Sequence, residues 1–428
     1  MEEPQVDNQN AVEEWIISMI EDLSRLSQLS STWSICKVPK KLRSVKEDAY
    51  DPRIVSIGPI HYGEEHLLPM EDHKQYYLLS LLQRTPDAVV SLENCCRTIL
   101  SLDSKVRDCY ADPIEPNKLK LATILLQDAG FMLELFLKYS EMGSKVHDDP
   151  IFSTSWMILT LKRDLALLEN QIPFFVLKSL FKLAFPRGVN GVLSLNELAL
   201  QFYKSTLNIN EEAFIAKCSL KGKHLLHLLY NCYLPPSPKF GSRSKEAWDF
   251  IHCATALSYA GVFFERNESE NLFDLKFSNG IFQIPTLRIH DSTDSLFRNF
   301  IAYEQCQQDS AHYITSYCML MDRLIDTAKD VELLEKKRII ENDLGGGEDV
   351  SDVFNNICKQ VVLKDFYFAE LCDRVNGFCK TPWHSYKAEL KRNYFKNPWS
   401  TISFLAAIAL IALTALQTVY SVLSYYHR

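Results

Sequence analysis

Apolar residues recur at three- and four-residue spacing through most of this chain. Val12, Trp15, Ile16, Met19, Ile20, Leu23 and Leu26 follow that rule and predict an amphipathic helix over Ala11–Leu29. Further helices are predicted over His73–Gln83, Ala88–Tyr110, Leu119–Tyr139 and Trp156–Leu168. Pro173 fits the first turn of a helix over Phe174–Leu183, where its missing N–H costs nothing. Helices return over Ala247–Ala260, Leu296–Gln307, Tyr317–Glu335 and Val350–Lys359, with Gly345-Gly346-Gly347 joining the last two. Ile35–Pro39 and Ile54–Pro59 read as short extended or turn-like pieces. One β-hairpin is predicted: Leu272–Phe277 and Ile281–Ile289 flank Asn279-Gly280, which supplies the positive φ of a tight turn. Pro285 assigns its second strand to a sheet edge. The fold class is mostly α, a large helical domain with a small β-hairpin element.

Near the C-terminus the periodicity gives way to an apolar run. Asn397–Tyr426 contains no Asp, Glu, Lys, Arg or His. Within it Ile402–Leu423, helical at ~1.5 Å per residue, reaches ~33 Å and predicts one transmembrane helix. Ile402, Leu405, Ile408, Leu413, Leu416 and Leu423 carry its apolar surface. Trp399 at one end and Tyr420, Tyr425 and Tyr426 at the other suit the headgroup level. Lys387, Lys391, Arg392 and Lys396 precede the span, and Arg428 follows it, so the N-terminal part is expected to face the cytosol. With His427 and Arg428 alone after it, the span is expected to insert as a tail anchor. The start, MEEPQVDNQNAVEEW, has no basic or apolar signal region. Gln417 and Thr418 either lie near the far interface or bond to a partner helix.

The expected organisation has three parts: a polar segment with its amphipathic helix at 1–34, a main domain at 35–396, and the anchor at 397–428. Leu234–Ser244, with three prolines, a glycine and three serines, is the exposed loop or sub-domain boundary. The chain carries 46 Lys+Arg against 54 Asp+Glu, net −8, with no long basic run outside the flank of the span. No nucleic-acid partner is expected. The twelve cysteines form no CxxC pair and read as reduced thiols of a cytosolic core.

Candidate chemistry is thin. The glycine triplet lacks the Lys-Ser/Thr of a phosphate loop, and neither HExxH nor GxSxG occurs. His224 and His227 share a helical face, but no carboxylate or thiol nearby completes a metal set. His61, Glu64, Glu65, His66, Glu71, Asp72 and His73 form a cluster suited to acid–base work or cation binding, or to a solvated loop leading into a helix. Asp164 and Glu169 stand amid apolar residues, and Glu169-Asn170-Gln171 reads as a trio capping backbone groups at a helix corner. No catalytic, cofactor-binding or metal-ligating residue is assigned.

Several motifs follow in order: Ile35-Cys36-Lys37-Val38-Pro39, Ala49-Tyr50-Asp51-Pro52, Val55-Ser56-Ile57-Gly58-Pro59 and Met70-Glu71-Asp72-His73-Lys74. Then come Asp164 to Phe175 (DLALLENQIPFF), Ala260 to Phe264 (AGVFF), Arg298 to Gln305 (RNFIAYEQ) and Asn397-Pro398-Trp399. Over about Ile35–Tyr425 the chain resembles the plant family called domain of unknown function 247. The resemblance implies a plant protein with a C-terminal membrane helix and no established enzymatic activity. Some grass members are associated with pollen–stigma self-incompatibility, which implies recognition or signalling at a membrane for that branch. No catalytic residues carry over. The family's usual histidine pair after Gly-Pro reads His61-Tyr62 here, with Ile60 at the preceding aromatic position. The expected function is that of a single-pass membrane protein in recognition or signalling, with protein partners and no catalysis. The alternative is a membrane-tethered hydrolase or transferase using the His61–His73 cluster or Glu169.

Overall fold

The computed structural model describes residues 12–13, 15–20, 33–141, 149–186, 193–235, 248–307, 311–381 and 398–426. The chain is mostly α and divides into two compact units: Met1–Cys232 with Ser295–Ala311, and Tyr233–Asp294 with His312–Arg428. The boundary loop expected at Leu234–Ser244 lies outside the described residues from 236 onward. Of the helix expected at Ala11–Leu29, residues 12–13 and 15–20 are described; they are helical and exposed.

The first unit is built around the Lys118–Ser140 helix. Every residue from Asp128 to Leu137 is buried, so this stretch of the helix is covered on all sides, unlike a one-faced surface helix. Pro69–Gln83 packs across it closely: a Cβ on Gly130 would stand 2.5 Å from Leu78 Cδ1. The predicted Ala88–Tyr110 helix breaks at Leu102 into Ala88–Ser101 and Asp103–Arg107, and Asp87 caps its start by accepting from the Val89 and Val90 N–H groups. Leu195–Leu207, opened by a Ser194–Glu197 capping box, and Glu211–Lys217 were not predicted. Pro173 stands at the N-cap of Phe174–Ala184, one position before the expected first turn.

In the second unit the predicted Tyr317–Glu335 helix is two, Tyr313–Leu324 and Ala328–Lys336. A capping box at Thr327 and Asp330 restarts the chain. Of the helix expected at Ala247–Ala260, the described residues from Trp248 form only Ala254–Tyr259. The hairpin is present as Lys276–Ser278 and Ile281–Pro285, turned at Asn279 (φ 51°) and Gly280 (φ 80°). Two features of it were misread. Ile281–Pro285 is the central strand, because Phe263–Asn267 pairs parallel to its other edge; Pro285 is tolerated as its last residue. Beyond Pro285 the chain leaves this sheet, and Leu287–Ile289 pairs parallel with Ile340–Asn342.

The Pro398–Tyr426 helix is long and apolar enough to cross a membrane, and none of Ala406–Leu423 is buried. Thr414 and Thr418 donate their hydroxyls to the Leu410 and Thr414 carbonyls, four residues back, both at 2.8 Å. The side chains of Ile402, Ile408, Leu413, Leu416 and Leu423 are exposed; that of Leu405 lies outside the described ones.

Candidate functional site

The most elaborate polar arrangement among the described residues lies in the first unit, where the chain from Ile35 to His61, buried at Ile35–Cys36 and Val55–Gly58 and exposed at Lys37, Lys46–Asp48 and Arg53, runs largely without a strand ladder. Apart from a parallel bridge between Ile35 and Tyr110, much of its backbone is paired by side chains from the Asp164–Gln171 corner. Asp164 Oδ2 accepts the N–H groups of Arg53, Ile54 and Val55 at 2.8, 2.8 and 3.2 Å. Asn170 Oδ1 accepts from Ile57 at 2.6 Å, and its amide donates to Val55 O and Asp164 O, both at 2.9 Å. Gln171 donates to Leu165 O and Leu167 O and accepts the Leu226 N–H. These side chains explain why the helix ends at Asp164, short of the expected Leu168: they take up backbone groups that a further turn would have used.

Glu169 joins three parts of the segment. Its Oε1 accepts the Val38 N–H at 2.5 Å; its Oε2 accepts from Arg43 Nη2 at 2.7 Å and lies 3.3 Å from His61 Nε2. His61 Nδ1 is 2.7 Å from Glu64 Oε1. Burial works to raise the Glu169 pKa, but His61, the Val38 N–H and Arg43 outweigh it and hold the carboxyl below its ordinary value. Burial likewise works to lower the His61 pKa, and the Glu169 and Glu64 carboxylates outweigh it and raise it.

A second buried pair anchors the next turn. Gly58 donates its N–H to Asp128 Oδ2 at 2.7 Å. Lys74 Nζ, wholly buried, sits 2.7 Å from Asp128 Oδ1, 2.6 Å from Glu71 Oε1 and 3.1 Å from Ser56 Oγ. The Lys74–Asp128 and His61–Glu169 approaches are ion pairs without aligned hydrogen-bond geometry at Asp128 Oδ1 and His61 Nε2. Burial raises the Asp128 pKa to about 6 despite Lys74. Gly58 has a φ of 80°, and a Cβ there would meet the Gln171 carbonyl oxygen at 2.4 Å.

The sequence-predicted cluster is therefore divided. His61 and Glu64 belong with Glu169, Glu71 belongs with Lys74, and His66 lies 3.1 Å from Pro52 O, while Glu65 and Asp72 are exposed. The Glu-Asn-Gln trio does satisfy backbone groups, as its composition suggests. Arg43, Lys74, Asp128 and Asn299 were missed. A signal existed for Asp128, one of two acids, with Glu134, in the largely apolar middle of a helix; Asn299, which accepts the Leu168 N–H and donates to Ala49 O, had none. The His224 and His227 nitrogens are all engaged. His224 pairs with Ser34 O and the His227 N–H, and His227 with the Lys223 N–H and Asn231. Burial holds both imidazoles below their ordinary pKa. Among the described residues no group of His, Cys, Asp and Glu could hold a metal ion.

The arrangement is a clamp: its acids and bases neutralise one another and hold backbone in place. An apolar hollow lined by Leu78, Leu81, Cys95, Leu126 and Leu180 shares no residue with it.

Comparison with known proteins places these motifs in context. The family model for domain of unknown function 247, a plant protein of unknown function, matches residues 35–413. The chain is 30% identical to the UPF0481 protein At3g47200 of Arabidopsis thaliana, over 91% of this chain and 86% of that protein. It is 22% identical to the putative UPF0481 protein At3g02645 of the same plant, over 90% of this chain and 89% of the relative. No solved structure matches. The chain belongs to the family of domain of unknown function 247.

Proposed function

We propose that this chain is a single-pass membrane protein that presents its N-terminal domain to protein partners in the cytosol, in recognition or signalling, without catalysis. The carrying observation is the Pro398–Tyr426 helix, apolar along its length with no burial over Ala406–Leu423. In water such a surface is costly at roughly 25 cal/mol per Å² of exposed apolar area; in a bilayer it is not. The back-bonded hydroxyls of Thr414 and Thr418 also suit an apolar medium. Support for a non-catalytic role is the consumption of Glu169 and His61 in mutual pairing, which weakens the hydrolase or transferase alternative.

Deleting 399–428 is expected to move the protein from the carbonate-resistant membrane fraction to the soluble one. Carbonate-resistant association of the truncated chain overturns the anchor. Ile408→Lys, near the middle of the span, is expected to impair insertion into microsomes by roughly 2.5–3.5 kcal/mol. Added protease is expected to degrade the N-terminal domain on intact microsomes; protection overturns the orientation.

A further inference from the structure

Lys162 differs from the buried Lys74 and Arg163 of its unit and from the partly exposed Arg43 and Arg84, each of which lies against a carboxylate. Lys162 is only 7% exposed, yet among the described residues no carboxylate stands within ion-pair reach of it. Its ammonium donates to two hydroxyls, Ser205 Oγ at 3.0 Å and Tyr139 Oη at 3.3 Å. Two rings complete the setting: Nζ lies 5.0 Å from the centroid of Tyr139 and 5.3 Å from that of Phe202. Hydroxyls and π faces tolerate a cation, but they do not neutralise it.

We propose that Lys162 is an acyl-acceptor site, at which an acyl group carried as a thioester is transferred to Nζ. The neutral amine attacks the thioester carbonyl. A C–N bond forms, the C–S bond breaks, and the departing thiolate takes up the proton lost from nitrogen. One amine and one thioester give one amide and one thiol, with no oxidant or metal required. The surroundings suit the product better than the reactant. The amide is uncharged, so a buried cation with no carboxylate within ion-pair reach among the described residues disappears. The amide N–H can still donate to a hydroxyl, and the Tyr139 hydroxyl can donate to the new carbonyl. Ser205 is exposed, so one wall of the setting opens to solvent.

Burial also prepares the nucleophile, pushing the Lys162 pKa down to about 8. Near neutrality roughly a tenth of its amines are then unprotonated, against a few in ten thousand for an ordinary lysine. Lower basicity reduces intrinsic nucleophilicity, and the net advantage is of the order of tenfold.

The test uses the full chain in detergent with acetyl-coenzyme A as the thioester, and mass spectrometry to follow each lysine. At neutral pH Lys162 is expected to acquire acetyl about tenfold faster than the exposed Lys329 and Lys337. Its rate should level off above pH about 8 while theirs keeps climbing. Labelling no faster than the exposed lysines, or a rate that never levels, overturns the proposal. Lys162→Gln, which resembles the uncharged product, separates this role from a structural one. The variant should melt at or above the parent; a clearly lower melting temperature shows that the fold requires the ammonium and also overturns the proposal.

Discussion

In the first unit Lys74, Asp128, Glu134, Arg163, Asp164 and Glu169 are all at most 6% exposed, and each meets an opposite charge. The described core of the second unit is organised by rings. Phe273 lies 6.0 Å from Tyr313, 5.9 Å from Tyr317, 5.6 Å from Tyr367 and 5.9 Å from Phe368, centroid to centroid. Its buried Asp330 is held by neutral donors, the N–H and hydroxyl groups of Thr255 and Thr327. Rings stabilise by area and tolerate small shifts. Carboxylates and amides must meet particular backbone groups, so they fix which residue of the Ile35–His61 segment faces which residue of the corner. A segment without strand neighbours needs that kind of specification.

The largest single loss is expected in the second unit. Phe273→Ala should cost about 3–5 kcal/mol, the usual range for a buried ring. It is read as lost hydrogen-exchange protection in Tyr313–Leu324, with little dependence on salt. A loss under about 1 kcal/mol would show that the rings do not carry this core.

Glu169→Ala is expected to cost about 3 kcal/mol, at the lower end for a broken buried pair because Arg43 keeps some contact with water. Protection should fall around Val38 and Ile57. Pro173→Ala, four residues on at an N-cap with φ −59°, should cost only about 0.4–1 kcal/mol, because it removes no bond and merely loosens the unfolded chain. Equal losses for the two would remove the reason for treating the corner as a clamp. Gly58→Ala falls between them, at about 1–3 kcal/mol, from its left-handed backbone and the clash with Gln171 O.

Much of this contrast was legible, unevenly. Helices came through because burial of one face imposes a period that sequence records, as in Pro69–Gln83 and Lys118–Ser140. Breaks at Leu102 and Ile325 did not, because apolar residues continue across them and local backbone bonding decides. The parallel strand Phe263–Asn267 was invisible, since a five-residue piece declares itself only through its neighbour. Glu169-Asn170-Gln171 could be read as capping residues from composition. Their targets at Val38, Ile57 and Leu226 could not, because Val38 pairs across 131 positions of chain.

The smallest expected effect is a slope with pH, and it separates the two kinds of interior most sharply. The His61 pKa is raised above 6.5 in the fold, so its stabilisation is complete below pH 6.5 and is lost as pH rises through the folded value. The Glu169 pKa is lowered below 4.5, so its share is complete above pH 4.5 and is lost as pH falls through the folded value. Together they place the clamp's full strength between pH 4.5 and 6.5, with losses on both sides. Asp128 acts in the opposite sense: raised to about 6, it favours the fold at acid pH and loses that advantage as pH climbs from 3.8 to about 6. Raw stability would mix these. The difference between the parent and Glu169→Gln removes Asp128, which both proteins share. That difference should be flat within the window and shrink on either side. Asp330 in the second unit, lowered from 3.8 by its threonine donors against the effect of burial, predicts loss on the acid side alone. A parent–variant difference that persists undiminished into alkaline pH would mean that His61 carries no charge in the clamp.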